Sequence, residues 1–132
     1  LIQPKVAIIA YVTYASDVAY RENLEGDTSL GSGPVLTVGS LMNKVLDKKF
    51  KDIADKLNIK CQVSVEPART YTDTDYTYKH CIPCYLLNIP LRYMHSSVEL
   101  VDLDDVEQII DLVVEFILTF NEEDSLNPFD YE

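Results

Sequence analysis

The chain of 132 residues is about one domain long, and with 47% hydrophobic and 25% charged residues it has enough apolar material for a packed core, which excludes disordered, collagenous and low-complexity classes. Eleven Lys and Arg against 22 Asp and Glu leave a formal net charge of −11, a field that repels nucleic-acid backbones and anionic membrane surfaces, so neither partner is expected. Three cysteines cannot all pair within one chain and no apolar stretch of about 18 residues is present, which disfavours a secreted disulfide scaffold and a membrane-spanning helix and points to a reducing compartment. The start, Leu1-Ile2-Gln3-Pro4-Lys5, has neither an initiator Met nor a basic region leading into a long apolar run, and it reads as a chain from which upstream residues were removed.

Lys5 to Thr13 (KVAIIAYVT) is apolar and β-branched without alternation, the pattern of a central strand buried on both faces. Ser16 to Gly33 is polar and contains Gly31 and Gly33, which predicts a long surface loop. Pro34 to Val38 follows as a short strand. Ser40 is then the expected N-cap of a helix with Leu41, Met42, Val45, Leu46, Phe50, Ile53, Ala54 and Leu57 on one face, stopped at Asn58. Its lysines, from Lys44 to Lys60, alternate with Asp47, Asp52 and Asp55 as on a solvated helix face. Cys61 to Val65 reads as a strand, and the Tyr- and Thr-rich stretch from Pro67 to His80 gives no clear periodicity. Cys84 to Ile89 (CYLLNI) is a buried-type strand ended by Pro90, and Val98 to Val101 a further short extended piece. Asp102 caps a helix whose apolar residues, from Leu103 to Phe120, predict that it is largely buried. The acidic tail from Asn121 to Glu132 should be frayed or cover a partner. The order of elements predicts an α/β layered fold, a mainly parallel sheet flanked by helices, in one piece over residues 1–132.

Two features carry possible chemistry. Cys81-Ile82-Pro83-Cys84 beside His80 has the spacing of a thiol–disulfide exchange motif, but a redox CxxC opens a helix whose N-terminus stabilises the thiolate, and here an apolar strand follows at once. The pair is therefore expected to be structural, with a small thiol-redox protein as the lesser alternative. His95 follows a buried strand, and open α/β sheets place their sites at the carboxyl ends of strands.

The run from Asn88 to Glu107, NIPLRYMHSSVELVDLDDVE, resembles the carboxyl-terminal signature of the glutamyl and tetrahedral aminopeptidases, dinuclear metallopeptidases of the cytoplasm that are sometimes labelled endoglucanases. Pro4 to Thr13 with Asp17, then Leu30-Gly31-Ser32-Gly33-Pro34, then Thr72-Asp73 ahead of Ile82-Pro83, match in the same order, so the resemblance covers nearly the whole chain. It implies the carboxyl-terminal part of a zinc-peptidase-like catalytic domain, a metal-dependent aminopeptidase removing N-terminal residues from peptides, with two divalent ions, Zn²⁺ or Co²⁺, and self-assembly up to a dodecamer. It also implies that His95 is a metal ligand and that Tyr11 stands where the family has a ligand Asp. A neutral phenol, with a reference pKa of about 10, is a poor ligand beside a carboxylate. Asp17 matches a second acidic position, where the plainer role is capping loop amides. The remaining ligands and the general base, an acidic pair upstream, are not among these residues, so the isolated chain is expected to be inactive. A catalytically silent relative, used for peptide binding or assembly, is the alternative that Tyr11 suggests.

Overall fold

The computed structural model describes residues 4–18 and 27–130. Residues 19–26, the middle of the expected loop, lie outside these, as do the two ends of the chain. The elements in order are β1 (Ala7–Tyr14), β2 (Val35–Gly39), α1 (Lys44–Leu57), β3 (Gln62–Glu66), α2 (Asp73–Lys79), β4 (Cys84–Arg92), β5 (Leu100–Val101) and α3 (Leu103–Thr119). The sheet runs β1-β4-β2-β3, with β5 on β4. β1 pairs with β4 in parallel from Ala7↔Cys84 to Tyr14↔Leu91, and β2 with β3 in parallel from Val35↔Gln62 to Gly39↔Glu66. The short β2/β4 and β4/β5 ladders are antiparallel. The fold is thus a mixed, mostly parallel sheet flanked by helices.

β4 is the buried strand of this sheet. Five successive residues, Cys84 to Asn88, are buried, and Tyr85 and Leu87 are fully covered. The strand expected to be central, β1, lies instead at the edge, with every residue half-buried or exposed. Its lack of alternation misled because an unalternating apolar run says that both faces can be covered, not that both edges are paired. The strand also runs through Pro90 instead of ending there. On that side of β4 the partner changes from β2, at Leu87 and Asn88, to β5, at Leu91 and Arg92, so the proline falls in the gap, where a missing N–H costs least.

α1 is capped by Asn43 and not by Ser40. The Asn43 side chain accepts from the Val45 and Leu46 amides at 2.9 and 3.2 Å, whereas the Ser40 hydroxyl donates to the Pro67 carbonyl. The helix stops at Asn58, which takes the left-handed conformation at φ 54°. Asp102 caps α3 as expected, accepting from the Asp104 amide at 2.9 Å. α3 is not largely buried, however. Ile109, Leu112 and Phe116 face the core, while Leu103, Ile110, Val114, Ile117 and Leu118 are exposed. The core between the helices and the sheet is organised by a row of stacked rings. Phe50 stacks on Tyr85 with centroids 5.1 Å apart and on Phe116 at 4.9 Å, and the Tyr85 hydroxyl donates to Asp47 at 2.8 Å.

Asp105 and Gln62 are prominent among the side chains that tie down the 27–34 loop. Asp105, 1% exposed in the first turn of α3, accepts from the Gly31 and Gly33 amides at 2.8 Å each. Gln62 accepts from the Ser29 amide and donates to the Ser29 and Gly33 carbonyls. Gly33 must be glycine, since at φ 97° a Cβ would lie 1.8 Å from the Lys60 carbonyl oxygen. Asp105→Ala strands the buried Gly33 amide and removes the partner of the part-buried Gly31 amide, so it should lower stability by about 1–3 kcal/mol. Urea denaturation checks this, and a change below about 0.5 kcal/mol would mean that the carboxylate does not hold the loop.

Candidate functional site

The parallel pairing of β1 with β4 puts their carboxyl ends side by side, and the residues that gather there come from both strands and the loops beyond them. After Arg92, the last residue of β4, the chain reverses within a few residues and returns as β5. That tight path is made with two non-glycine residues in the left-handed region, Tyr93 at φ 61° and His95 at φ 66°. The His95 amide donates to Glu99 at 2.9 Å, which closes the loop on itself. The imidazole stands edge-on to Tyr14, the last residue of β1, with ring centroids 6.0 Å apart at 87°. A hydrogen bond of 3.1 Å joins the Tyr14 hydroxyl to Nδ1 of His95. Nδ1 is thereby engaged, and Nε2 of an exposed ring is the nitrogen left for another partner.

Asp17 lies beside this pair but is committed elsewhere. Its two oxygens receive Nε and Nη2 of Arg92 at 2.8 and 2.5 Å, and Oδ2 also accepts from the Leu30 amide at 3.2 Å. The Arg92 fork holds the Asp17 carboxyl below the usual carboxylate range, against the opposing effect of partial desolvation. Tyr11 sits three residues before Tyr14, and strand alternation puts the two on opposite faces of β1. Its register partner on β4 is Asn88, buried, whose Nδ2 donates to the Thr37 hydroxyl at 2.9 Å. Thr37 in turn faces the Ser64 hydroxyl at 3.5 Å. This polar row crosses three strands, and Oδ1 of Asn88 has no hydrogen-bond partner among the described residues.

Sequence reasoning named His95, Tyr11 and Asp17 as candidates and did not name Tyr14 or the Asn88–Thr37–Ser64 row. A single carboxamide inside the apolar run CYLLNI was the available signal for Asn88, because a polar group in a doubly buried strand must find a partner. As donors for a metal, the residues present are the His95 imidazole, the phenols of Tyr11 and Tyr14, the Asp17 carboxylate already held by an arginine, and the Glu99 carboxylate, which accepts from the His95 amide. Among the described residues no three His, Cys, Asp or Glu side chains come together as a metal site. This donor set does not make up a two-metal centre.

The CxxC element lies at the other end of β4. Cys81 is exposed at φ 58° and follows the C-terminal end of α2, where the helix dipole opposes a thiolate. Cys84 is buried, its Sγ donates to the Leu41 carbonyl at 3.5 Å, and burial pushes its thiol pKa up. The His80 ring is engaged by the Tyr76 carbonyl at 2.9 Å and tilts against the Tyr76 ring. This geometry does not activate a thiol.

Residues 1–112 match the family model described as M42 glutamyl aminopeptidase. The lysyl aminopeptidase of Pyrococcus furiosus is 33% identical over 132 residues, covering 98% of this chain and 36% of the relative. The crystal structure of a TET aminopeptidase from the marine sediment archaeon Thaumarchaeota archaeon SCGC AB-539-E09 superposes with a TM-score of 0.81 at 29% identity, over 91% of this chain and 35% of that one. Pyrococcus horikoshii TET1 peptidase, described as able to assemble into a tetrahedron or a large octahedral shell, gives a TM-score of 0.61 at 26% identity, over 83% and 32%. The chain thus spans about a third of the length of these relatives. No helix among the described residues is long and apolar enough to cross a membrane.

Because Arg92 lowers the Asp17 pKa, the stabilisation that this pair provides is present above the unfolded-state pKa and is lost as pH falls through the folded one. An NMR titration should find Asp17 below an unperturbed aspartate, and Arg92→Gln should move it upward. Identical titration curves in the two proteins would mean that the pair does not persist in solution.

Proposed function

The chain belongs to the M42 glutamyl aminopeptidase family, and from that membership we propose that it is the carboxyl-terminal part of the catalytic domain of a metal-dependent aminopeptidase. The complete protein removes N-terminal residues from peptides in the cytoplasm and works as a homo-oligomer, up to a dodecamer. The observation that supports this reading best is His95, held by Tyr14 at the carboxyl ends of β1 and β4 with Nε2 left open. Divalent ions, Zn²⁺ or Co²⁺, would supply Lewis-acid polarisation of the scissile carbonyl. In this proposal His95 is one of their ligands, and Tyr14 fixes its ring by engaging Nδ1. Tyr11 stands at the second family ligand position with a phenol, on the face of β1 opposite Tyr14 and the ring that Tyr14 holds. Asp17 anchors Arg92 and the loop at Leu30 and serves as no ligand. The other ligands and the general base come from outside these 132 residues.

The phenol of Tyr11 favours a second reading, a relative that has lost metal binding and serves peptide binding or assembly. Calorimetric titration of the complete protein with Zn²⁺ separates the two. If His95 and Tyr11 mark the site, Tyr11→Asp should tighten binding of one ion by about tenfold, roughly 1.4 kcal/mol, and His95→Ala should weaken it. Equal stoichiometry and affinity in all three proteins would place the metal elsewhere. The 132-residue chain alone should not hydrolyse an aminoacyl anilide with added Zn²⁺ or Co²⁺. Turnover by that chain, abolished by a chelator, would show that it contains its own base and ligands.

A further inference from the structure

A sizeable cavity lies far from His95. It opens at the amino end of β4, and the nine residues of that strand separate the two regions by roughly 25–30 Å. Its volume is about 700 Å³, in the range of small-molecule sites. Leu41, Met42, Tyr78, Ile82, Pro83 and Phe129 form apolar walls, and the Phe129 ring at the rim is 79% exposed. Among the described residues neither Asp nor Glu lines it, although the chain carries 22 acidic residues.

Its charged groups are Lys44, at the start of α1, and Lys79, at the end of α2. The neighbouring lysines on α1 are all neutralised. Lys48 pairs with Asp52, Lys49 with Asp124, Lys51 with Asp47 and Lys56 with Glu115, at 2.5 to 2.7 Å. Lys44 and Lys79 form no ion pair among the described residues, and both line this cavity. In a chain of net charge −11, this is a concave apolar surface with a local positive mouth.

We propose that this cavity binds an apolar carboxylate, with the hydrocarbon body against Ile82, Pro83, Met42 and Phe129 and the carboxylate between Lys44 and Lys79. Apolar burial supplies most of the affinity. The lysines are exposed, so each contributes modestly and mainly selects for the anion. The carboxylate comes either from a free aliphatic acid or from the C-terminus of a peptide with apolar last residues. The proposal is independent of the aminopeptidase reading, because its readout is binding.

Cys81 lines the cavity and is exposed, whereas Cys84 is buried, so alkylation of Cys81 reports occupancy. The complete protein is treated with iodoacetamide, and modification of Cys81 is followed by peptide mass spectrometry with octanoate, octanamide, and the peptide Ala-Ala-Leu-Phe bearing a free or an amidated C-terminus. Octanoate should slow Cys81 alkylation by about tenfold at saturation, and Lys44→Gln and Lys79→Gln should each raise the half-protecting concentration by about three- to fivefold. Protection by the free peptide at lower concentration than octanoate assigns the site to a peptide C-terminus, and the reverse order to a free acid. Equal protection by octanamide, no protection by either acid, or unchanged concentrations in both lysine variants would overturn the proposal.

Discussion

The Phe50 ring, held between Tyr85 of β4 and Phe116 of α3, is the contact on which the rest of the fold depends. It is fully buried, and it joins the central strand to both long helices at one point. Stacked pairs of this kind contribute about 0.5–1.5 kcal/mol each beyond the area they bury. Their larger effect is positional. Tyr85 also donates to Asp47, so α1 is fixed in rotation as well as in distance. α1 and α3 are thereby seated on β4, and the parallel pairing of β4 with β1 brings Tyr14 and His95 together.

Outside that core the molecule has two apolar surfaces with little cover. β1 carries no charge, proline or bulge that would blunt its free edge, and Ala10 and Tyr11 are exposed on it. α3 presents Leu103, Ile110 and Ile117, spaced by seven residues, to solvent. Both are written with residues suited to burial. They are the surfaces on which further polypeptide, or further copies, would bury apolar area, and they fit a chain spanning about a third of the length of its relatives.

What the sequence made legible depended on whether a local rule decided the outcome. Asn58 and Asp102 were readable because a left-handed stop and a side-chain cap are decided within four residues. Asn43 was passed over for Ser40 because both are good caps, and the choice was made at a distance, by the Pro67 and Leu126 carbonyls that their side chains reach. α2 had no readable period, since Thr74 is its one buried residue. In the site, His95 was visible from its place after a buried strand and from the family signature. Tyr14 was not, because its partner is 81 residues away and nothing in the spacing of YVTYAS announces a hydrogen bond.

The same long-range commitments bear on whether the Asp17 carboxylate is available to a metal bound beside His95. Asp17 is the nearest acidic residue on the β1 side, and both its oxygens are used. Turning it toward a metal would release the Arg92 guanidinium and the Leu30 amide together, and would bring that freed cation toward the incoming ion. Arg92 adjoins the strained Tyr93–His95 turn, so a shift there also disturbs the ring that Tyr14 holds. Coordination by Asp17 and correct presentation of His95 are therefore competing arrangements of the same few residues. Asp17 is thus not a free anionic ligand, and a metal bound beside His95 in the proposed site must draw its anionic ligands from other residues.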